Sequence, residues 1–329
     1  MPQISVSIIS KLIQAPNRPK GHWSQRDLRA TFAQMKIYIN DRLVNEDQAL
    51  VSVFDSGFVL GDGVWEGIRV HRACPVFLKP HLDRLFEAAK AMMIDVGRTP
   101  EQLRIAIEQT IAANALDCDA HLRVMLTRGI RKQPYQDPRL AVGQATLVIV
   151  PAQSPHDPAK AQRGLDLFTV HVRRGNPDVQ DQKINSHSKF NCVSACIQAN
   201  QAGADEALML DTNGFVATCN STHFFIVRRG EVWTSNGEYC LAGITRGNVI
   251  ALCEAHGIPI HQKRFSLTDV YGADEAFVTG TLGGLTPVKR VDGRPMREPN
   301  LPGPVTQQLA HQYQLLMEAD AKAYLANRD

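Results

Sequence analysis

Apolar and polar positions change period several times along the 329-residue chain. Two short apolar-rich runs, residues 36–40 and 41–44, meet at Asn40-Asp41 and predict a pair of strands around a tight turn. Residues 52–54 and 64–70 flank a bend marked by Gly57, Gly61 and Gly63. From Pro80 the spacing shifts to three and four, placing Leu82, Leu85, Ala88 and Ala89 on one face of a helix over 80–93. A second helix is predicted over 100–115, where Glu101 suits the positive end of the helix dipole. Residues 122–127 and 145–150 return to strand, and 165–172 follow. After a polar run to Ser188 comes a helix with Val193, Cys196, Ile197 and Asn200 along one stripe and Gly203 as its stop. Strands at 207–210 and 215–218 join through Asp211-Thr-Asn-Gly, a hairpin signal, and further strands are read at 223–227, 231–234 and 275–279. Strands do not alternate regularly with helices, so the pattern predicts an α+β chain rather than a doubly wound sheet.

Four segments are expected. Residues 1–34 form a basic extension, with Lys11, Arg18, Lys20, Arg26 and Arg29 against the single acid Asp27. A small N-terminal domain spans 35–150, a linker with Pro151, Pro155, Pro158 and Gly164 spans 151–164, and a larger C-terminal domain spans 165–329. At 44% hydrophobic and 21% charged residues the composition is that of a globular protein, which argues against disorder or a disulfide-stapled scaffold. Thirty-six basic residues against 33 acidic give no electrostatic reason to expect nucleic acid. No apolar run approaches the ~18–20 residues that cross a bilayer, so no membrane partner is expected. Seven scattered cysteines without a CxxC pair, and eleven histidines without HExxH spacing, leave no metal site to expect. They fit a reducing, cytoplasmic compartment, with organellar targeting by residues 1–34 left open.

Two runs bear chemistry. In Gly243-Ile-Thr-Arg-Gly a glycine turn leads directly into a helix with Val249, Ile250, Leu252 and Cys253 as its apolar positions. Free N–H groups at such a start form an anion cradle, and Thr245 adds a hydroxyl; an ordinary capped helix is the alternative. Val278-Thr-Gly-Thr-Leu-Gly-Gly-Leu-Thr-Pro-Val is dense in glycine and hydroxyls and can wrap a phosphate, or simply turn tightly. Neither is a Walker A or a dinucleotide motif. Together they point to a small phosphorylated cofactor.

These runs do not stand alone. Asp55-Ser-Gly-Phe-Val-Leu-Gly-Asp-Gly-Val-Trp-Glu-Gly-Ile-Arg, His81-Leu-Asp-Arg-Leu, Gly243-Ile-Thr-Arg and Gly280-Thr-Leu-Gly-Gly-Leu-Thr-Pro-Val follow one another in this order. In order and spelling the chain from about Met35 onward resembles the class IV (fold type IV) pyridoxal-phosphate enzymes. These include branched-chain and D-amino-acid aminotransferases and aminodeoxychorismate lyase, and the spelling is closest to the branched-chain group. The resemblance implies a small N-terminal α/β domain, a larger barrel-like C-terminal domain with pyridoxal 5'-phosphate between them, and a homodimer that shares loops.

The resemblance also implies roles. Arg84 forks onto the phosphate, and Ile244, Thr245 and Thr281 complete the cup. The lysine that holds the cofactor is Lys183 or Lys189. Spacing to Glu206 favours Lys183, while Lys189-Phe-Asn resembles a basic position at the helix start. Thr218 stands where the family places a glutamate against the pyridine nitrogen, and His223 where it has asparagine. A hydroxyl there predicts a weaker electron sink. Trp65, Gly67, Arg69 and Leu282 take substrate-side positions. Arg128, in Thr127-Arg-Gly, resembles a carboxylate-binding arginine of the D-amino-acid enzymes, although nearby Arg131 and Lys132 make a merely basic loop the alternative. The implied reaction is transamination between a branched-chain-like amino acid and a 2-oxo acid. A lyase, a D-amino-acid or amine transaminase, and a catalytically weak binding homologue are the other readings.

Overall fold

Asn40 and Asp41 both take left-handed backbone, φ 43° and 70°. That pair of angles matches the twist of adjoining strands, and Asn and Asp tolerate it better than most residues. The turn therefore joins β1 (Lys36–Ile39) to β2 (Arg42–Asn45) as expected. The computed structural model describes residues 35–117, 120–153 and 163–326, so the expected extension over 1–34 and most of the linker, 154–162, lie outside the described residues.

A short helix α1 (Ser56–Leu60), capped by the Asp55 carboxylate, leads into β3 (Gly63–His71) and β4 (Cys74–Pro75). Helix α2 (Leu78–Ala91) begins two residues before the expected start, because Pro80 fits within a first turn, where no intrahelical N–H is required. It buries Leu82, Leu85, Ala88 and Ala89, the expected face, together with Leu78 and His81. Helix α3 (Pro100–Ala113) opens with a reciprocal capping box between Thr99 and Gln102. Next come β5 (Ala120–Thr127), the pair β6 (Ile130–Arg131) and β7 (Ala141–Val142), and β8 (Thr146–Gln153). Strands β2-β1-β8-β5-β3-β4 form one antiparallel sheet over Leu85, Leu103 and Ile107 of the helices.

The rest of the chain runs through β9 (Leu165–Thr169), α4 (Pro177–Gln180), α5 (Phe190–Gln201), β10 (Glu206–Leu210), β11 (Val216–Cys219), β12 (His223–Arg228) and β13 (Glu231–Thr234). It ends with α6 (Ile244–Ala255), β14 (Ile260–Gln262), α7 (Leu267–Tyr271), β15 (Glu275–Gly280), β16 (Gly284–Val291), β17 (Arg294–Pro295) and α8 (Pro304–Ala326). A nine-stranded mixed sheet holds order β11-β10-β9-β16-β15-β12-β13-β14, with β17 beside β16. On its face against α6 and α8, Phe225 and Phe277 are fully buried and stacked with centroids 4.9 Å apart.

Helix α5 differs from the expected stripe. Ala195 and Ala199 are buried against Val170, Ala207 and Met209, whereas Val193 and Ile197 are more than half exposed. The small side chains, rather than the larger apolar ones, thus face the sheet. Segment 185–187 is drawn onto the start of β3: Trp65 N donates to Asn185 O (2.9 Å) and His187 N to Gly63 O (2.9 Å). This pairing sets where α5 begins. Phe277→Ala should lower the unfolding free energy by about 3–5 kcal/mol in a denaturant titration, through lost transfer energy and a cavity; a loss under about 1 kcal/mol would mean the stack is not a keystone of this core.

Candidate active site

Strand alternation places Trp65, Gly67 and Arg69 on one face of β3 and turns Glu66 toward α2. Glu66 and His81 are each 1% exposed. The Glu66 carboxylate accepts from Arg84 Nε (2.7 Å) and Nη2 (2.6 Å), and His81 Nδ1 lies 2.7 Å from Oε2. Burial pushes the carboxyl up, but the hydrogen bonds from His81 and Arg84 and the Arg84 charge outweigh it and hold Glu66 below the usual carboxylate range. Burial pulls His81 down despite Glu66, so the imidazole is neutral and donates from Nδ1.

Arg84 makes a third contact, Nη1 to Ala242 O at 2.7 Å, just before α6. Gly243 is the N-cap, without a side-chain cap, and His223 lies against it so closely that a Cβ there would sit 2.3 Å from His223 Cε1. Burial lowers the His223 ring to about 4, and its Nε2 bonds Leu241 O at 2.7 Å. The amides of Ile244 and Thr245 begin the helix and have no carbonyl a turn earlier to meet. Thr245 is buried, its hydroxyl 3.4 Å from that of Tyr313. Helix start, hydroxyl and guanidinium together make a seat for an anion.

The two candidate lysines end in different places. Lys189 is the N-cap residue of α5, and its amine lies 5.6 Å from the Trp65 ring centre, while the Arg123 guanidinium lies 3.8 Å from the same centre. Burial lowers the amine to about 8; Cys192 opposes the shift, and the charges of Arg174, Arg123 and Arg84 add to it. Lys183 is exposed, its backbone N–H bonds Asp181 Oδ1 (2.9 Å), and its charge acts on Glu238. The structure thus brings Lys189, and not Lys183, to Trp65 and the arginines.

Gly67 supports His121: a Cβ would sit 2.7 Å from His121 Nε2. Burial, with help from the charge of Arg123, lowers His121 to about 4. Arg69 Nη1 donates to Leu282 O (3.2 Å), so β3 is tied to the turn that carries Thr281 and Leu282. Thr218 is buried, and its hydroxyl donates to Thr222 O (2.8 Å), which leaves a lone pair to offer elsewhere. The turn beyond it is clamped by Glu206, whose Oε1 accepts from the amides and hydroxyls of Ser221 and Thr222 at 2.8–3.0 Å. Arg128 is a strap: Nε and Nη2 bond Asp62 (2.6 and 3.0 Å), and Nη1 and Nη2 bond Met93 O and Met92 O (both 2.8 Å). Arg131 is buried near the same Asp62, 3.7 Å away, while Lys132 is exposed.

Four contributors receive no role from the sequence: Glu66, which lies within the Trp65–Arg69 motif, and His121, Arg123 and Arg174, which lie in no motif. His121 and Arg123 alternate with buried Leu122 on β5, and in register they face Arg69 and Gly67. That alternation is a usable signal once β5 and β3 are paired. Arg174 is buried, donating from Nη1 to Cys192 Sγ (3.3 Å) and from Nε to Tyr239 O (3.2 Å). It lies in a polar run with no motif to mark it. Modification of the Lys189 amine by acetic anhydride should rise through pH 8 and level off above it, read by peptide mass spectrometry. A rate still climbing toward pH 10.5, the ordinary lysine value, would contradict the assigned surroundings.

Among known proteins, the chain matches the family model for class IV amino-transferases over residues 63–291. It is 39% identical over 280 residues to the putative branched-chain-amino-acid aminotransferase of Methanocaldococcus jannaschii, covering 85% of this chain and 95% of that one. The branched-chain-amino-acid aminotransferase-like protein 2 of Arabidopsis thaliana is 36% identical over 288 residues, 87% of this chain and 51% of the relative, so the chain spans about half the length of that protein. The crystal structure of the branched-chain aminotransferase from Thermoproteus uzoniensis with norvaline superposes with TM-score 0.78 at 31% identity, over 89% of this chain and 97% of that one. With a family match across more than half its length, laid over the strands and helix starts that build this site, the chain belongs to the class IV amino-transferases.

Proposed function

We propose that this chain is a pyridoxal-phosphate-dependent aminotransferase that moves an amino group between a branched-chain-like amino acid and a 2-oxo acid. The observation that carries the reading is Lys189: an amine 5.6 Å from the Trp65 ring centre, lowered to about 8 by burial, with the charges of Arg174, Arg123 and Arg84 adding to the shift. The donor set fits such a cofactor. Arg84, the amides of Ile244 and Thr245, and the hydroxyls of Thr245 and Thr281 suit a phosphate tail, and Thr218 presents an oxygen lone pair for the ring side. When bound, the group supplies a carbonyl that takes up amino nitrogen and a ring that draws electrons from the carbon losing its proton.

The protein's part is holding and proton transfer. With its affinity near 8, the Lys189 amine can take and return a proton close to neutral pH, which an ordinary lysine near 10.4 does poorly. Geometry supports Lys189 over Lys183 for the covalent tether, against the spacing to Glu206. Trp65 supplies an apolar wall, with Gly67, His121, Arg123 and Arg69 around it and Leu282 across from Arg69. The engaged guanidinium of Arg128 favours the strap role over carboxylate binding.

The two sheets, each with its own core, support a small domain over 35–150 and a larger one over 165–329. Leu50, Val51, Val53, Phe54 and Phe58 are 48–79% exposed within nine residues, an apolar surface suited to a second copy of the chain. Six free cysteines among the described residues fit a reducing, cytoplasmic compartment. No helix of the described residues is long and apolar enough to cross a membrane.

The test is covalent mapping. Protein loaded with pyridoxal 5'-phosphate should absorb light beyond the protein band, and borohydride reduction should fix the label on the peptide containing Lys189. Lys189→Ala should abolish labelling and amino transfer from leucine to 2-oxoglutarate, while Lys183→Ala should keep both. Label on Lys183 would overturn the lysine assignment, and no bound coenzyme at all would overturn the function.

A further inference from the structure

We propose that Glu66, backed by His81, is a positioning residue that gives the cofactor seat its preference for a phosphorylated ligand. The proposal rests on the function just given and adds how the seat is held. Of the five N–H groups on the Arg84 guanidinium, three have protein acceptors: Nε and Nη2 on the two Glu66 oxygens, and Nη1 on Ala242 O. One N–H remains on each Nη nitrogen for a phosphate to accept. His81 donates to Oε2, the oxygen that also receives Nη2, so the carboxylate cannot rotate without breaking a second buried bond. The same guanidinium, through Ala242 O, joins α2 to the start of α6. Both halves of the seat, the fork and the helix amides, are therefore set in one arrangement by Glu66.

Charge alone predicts the opposite sign. Glu66 is held in its charged form beside a site for anions, so by Coulomb's law its removal should tighten anion binding. A Glu66→Gln side chain, however, offers Arg84 one acceptor in place of two, and its amide N–H groups face at least one N–H of Arg84 in either orientation. The fork then loses its fixed direction. An arginine that must be ordered on binding gives up side-chain entropy that a preset one does not. Positioning and charge thus make opposed predictions about one variant.

The experiment titrates cofactor-free full-length protein with pyridoxal 5'-phosphate and, separately, with pyridoxal, which lacks the phosphate. Binding is followed by absorbance for wild type, Glu66→Gln, His81→Leu and His81→Gln, each checked for folding by its thermal transition. We expect the ratio of the two affinities to fall about tenfold or more in Glu66→Gln and His81→Leu, about 1.4 kcal/mol of phosphate-specific binding. Pyridoxal affinity should stay within about twofold, because it never uses the fork. His81→Gln, whose amide can still donate to Glu66, should retain most of the preference. Equal loss for both ligands would mark Glu66 and His81 as merely structural, and tighter phosphate binding in Glu66→Gln would make charge the dominant effect; either overturns the proposal. If Glu66→Gln does not fold, the two His81 variants decide the outcome. Wild-type protein that binds neither ligand would instead sink the underlying function.

Discussion

A carboxylate almost wholly withdrawn from water is tolerable only with partners, because the effective penalty is several kcal/mol per buried ion. Glu66 has three donors, two from Arg84 and one from His81, all at 2.6–2.7 Å. The strand carrying Glu66 and the helix carrying Arg84 and His81 are consequently fixed against each other. Through Ala242 O the pair also fixes the first turn of α6. A pair of this kind is weak evidence of net stability; what it secures is direction. Here the direction is that of the guanidinium edge left free beside unpaired helix amides.

Around that edge positive charge accumulates, offset at Arg84 by Glu66. Burial is the largest effect on the Lys189 amine, and the charges of Arg174, Arg123 and Arg84 add to it. Three neighbouring histidines are held neutral: His81, His121 and His223 each have lowered proton affinity with burial as the largest cause. Lys189, by contrast, is brought near neutral pH. That contrast between fixed cations and one titrating amine is the electrostatic pattern expected of a site that binds an anion and moves a proton.

Much of this is legible in the sequence where local rules dominate. The Asn40-Asp41 turn, the buried face of α2 and the Thr99–Gln102 cap follow from near-neighbour chemistry. Arg84 and the Ile244-Thr245 helix start are visible because their residues lie in short motifs. The place of Lys189 beside Trp65 is not, because it depends on residues 185–187 pairing with β3, 120 or more positions away in the chain. Counting residues through an irregular loop says little about where an amine ends. The face of α5 departs from expectation for a related reason: Ala195 and Ala199 are less hydrophobic than Val193 and Ile197, yet they are the ones packed against β10. Hydrogen-bond direction is equally hidden. Nothing in the order of residues shows that Thr218 donates to Thr222 O, or that Arg128 is taken up by Asp62 and the end of α2.

The most direct measurement is a crystal structure of the protein soaked with pyridoxal 5'-phosphate, read for where the phosphorus and the ring carbon lie. The account predicts phosphorus between the Arg84 guanidinium and the amides of Ile244 and Thr245, Glu66 still bidentate on Arg84, and continuous density from the coenzyme to Lys189 Nζ. Phosphorus bound elsewhere with Arg84 still turned to Ala242, or density running instead to Lys183, would contradict it.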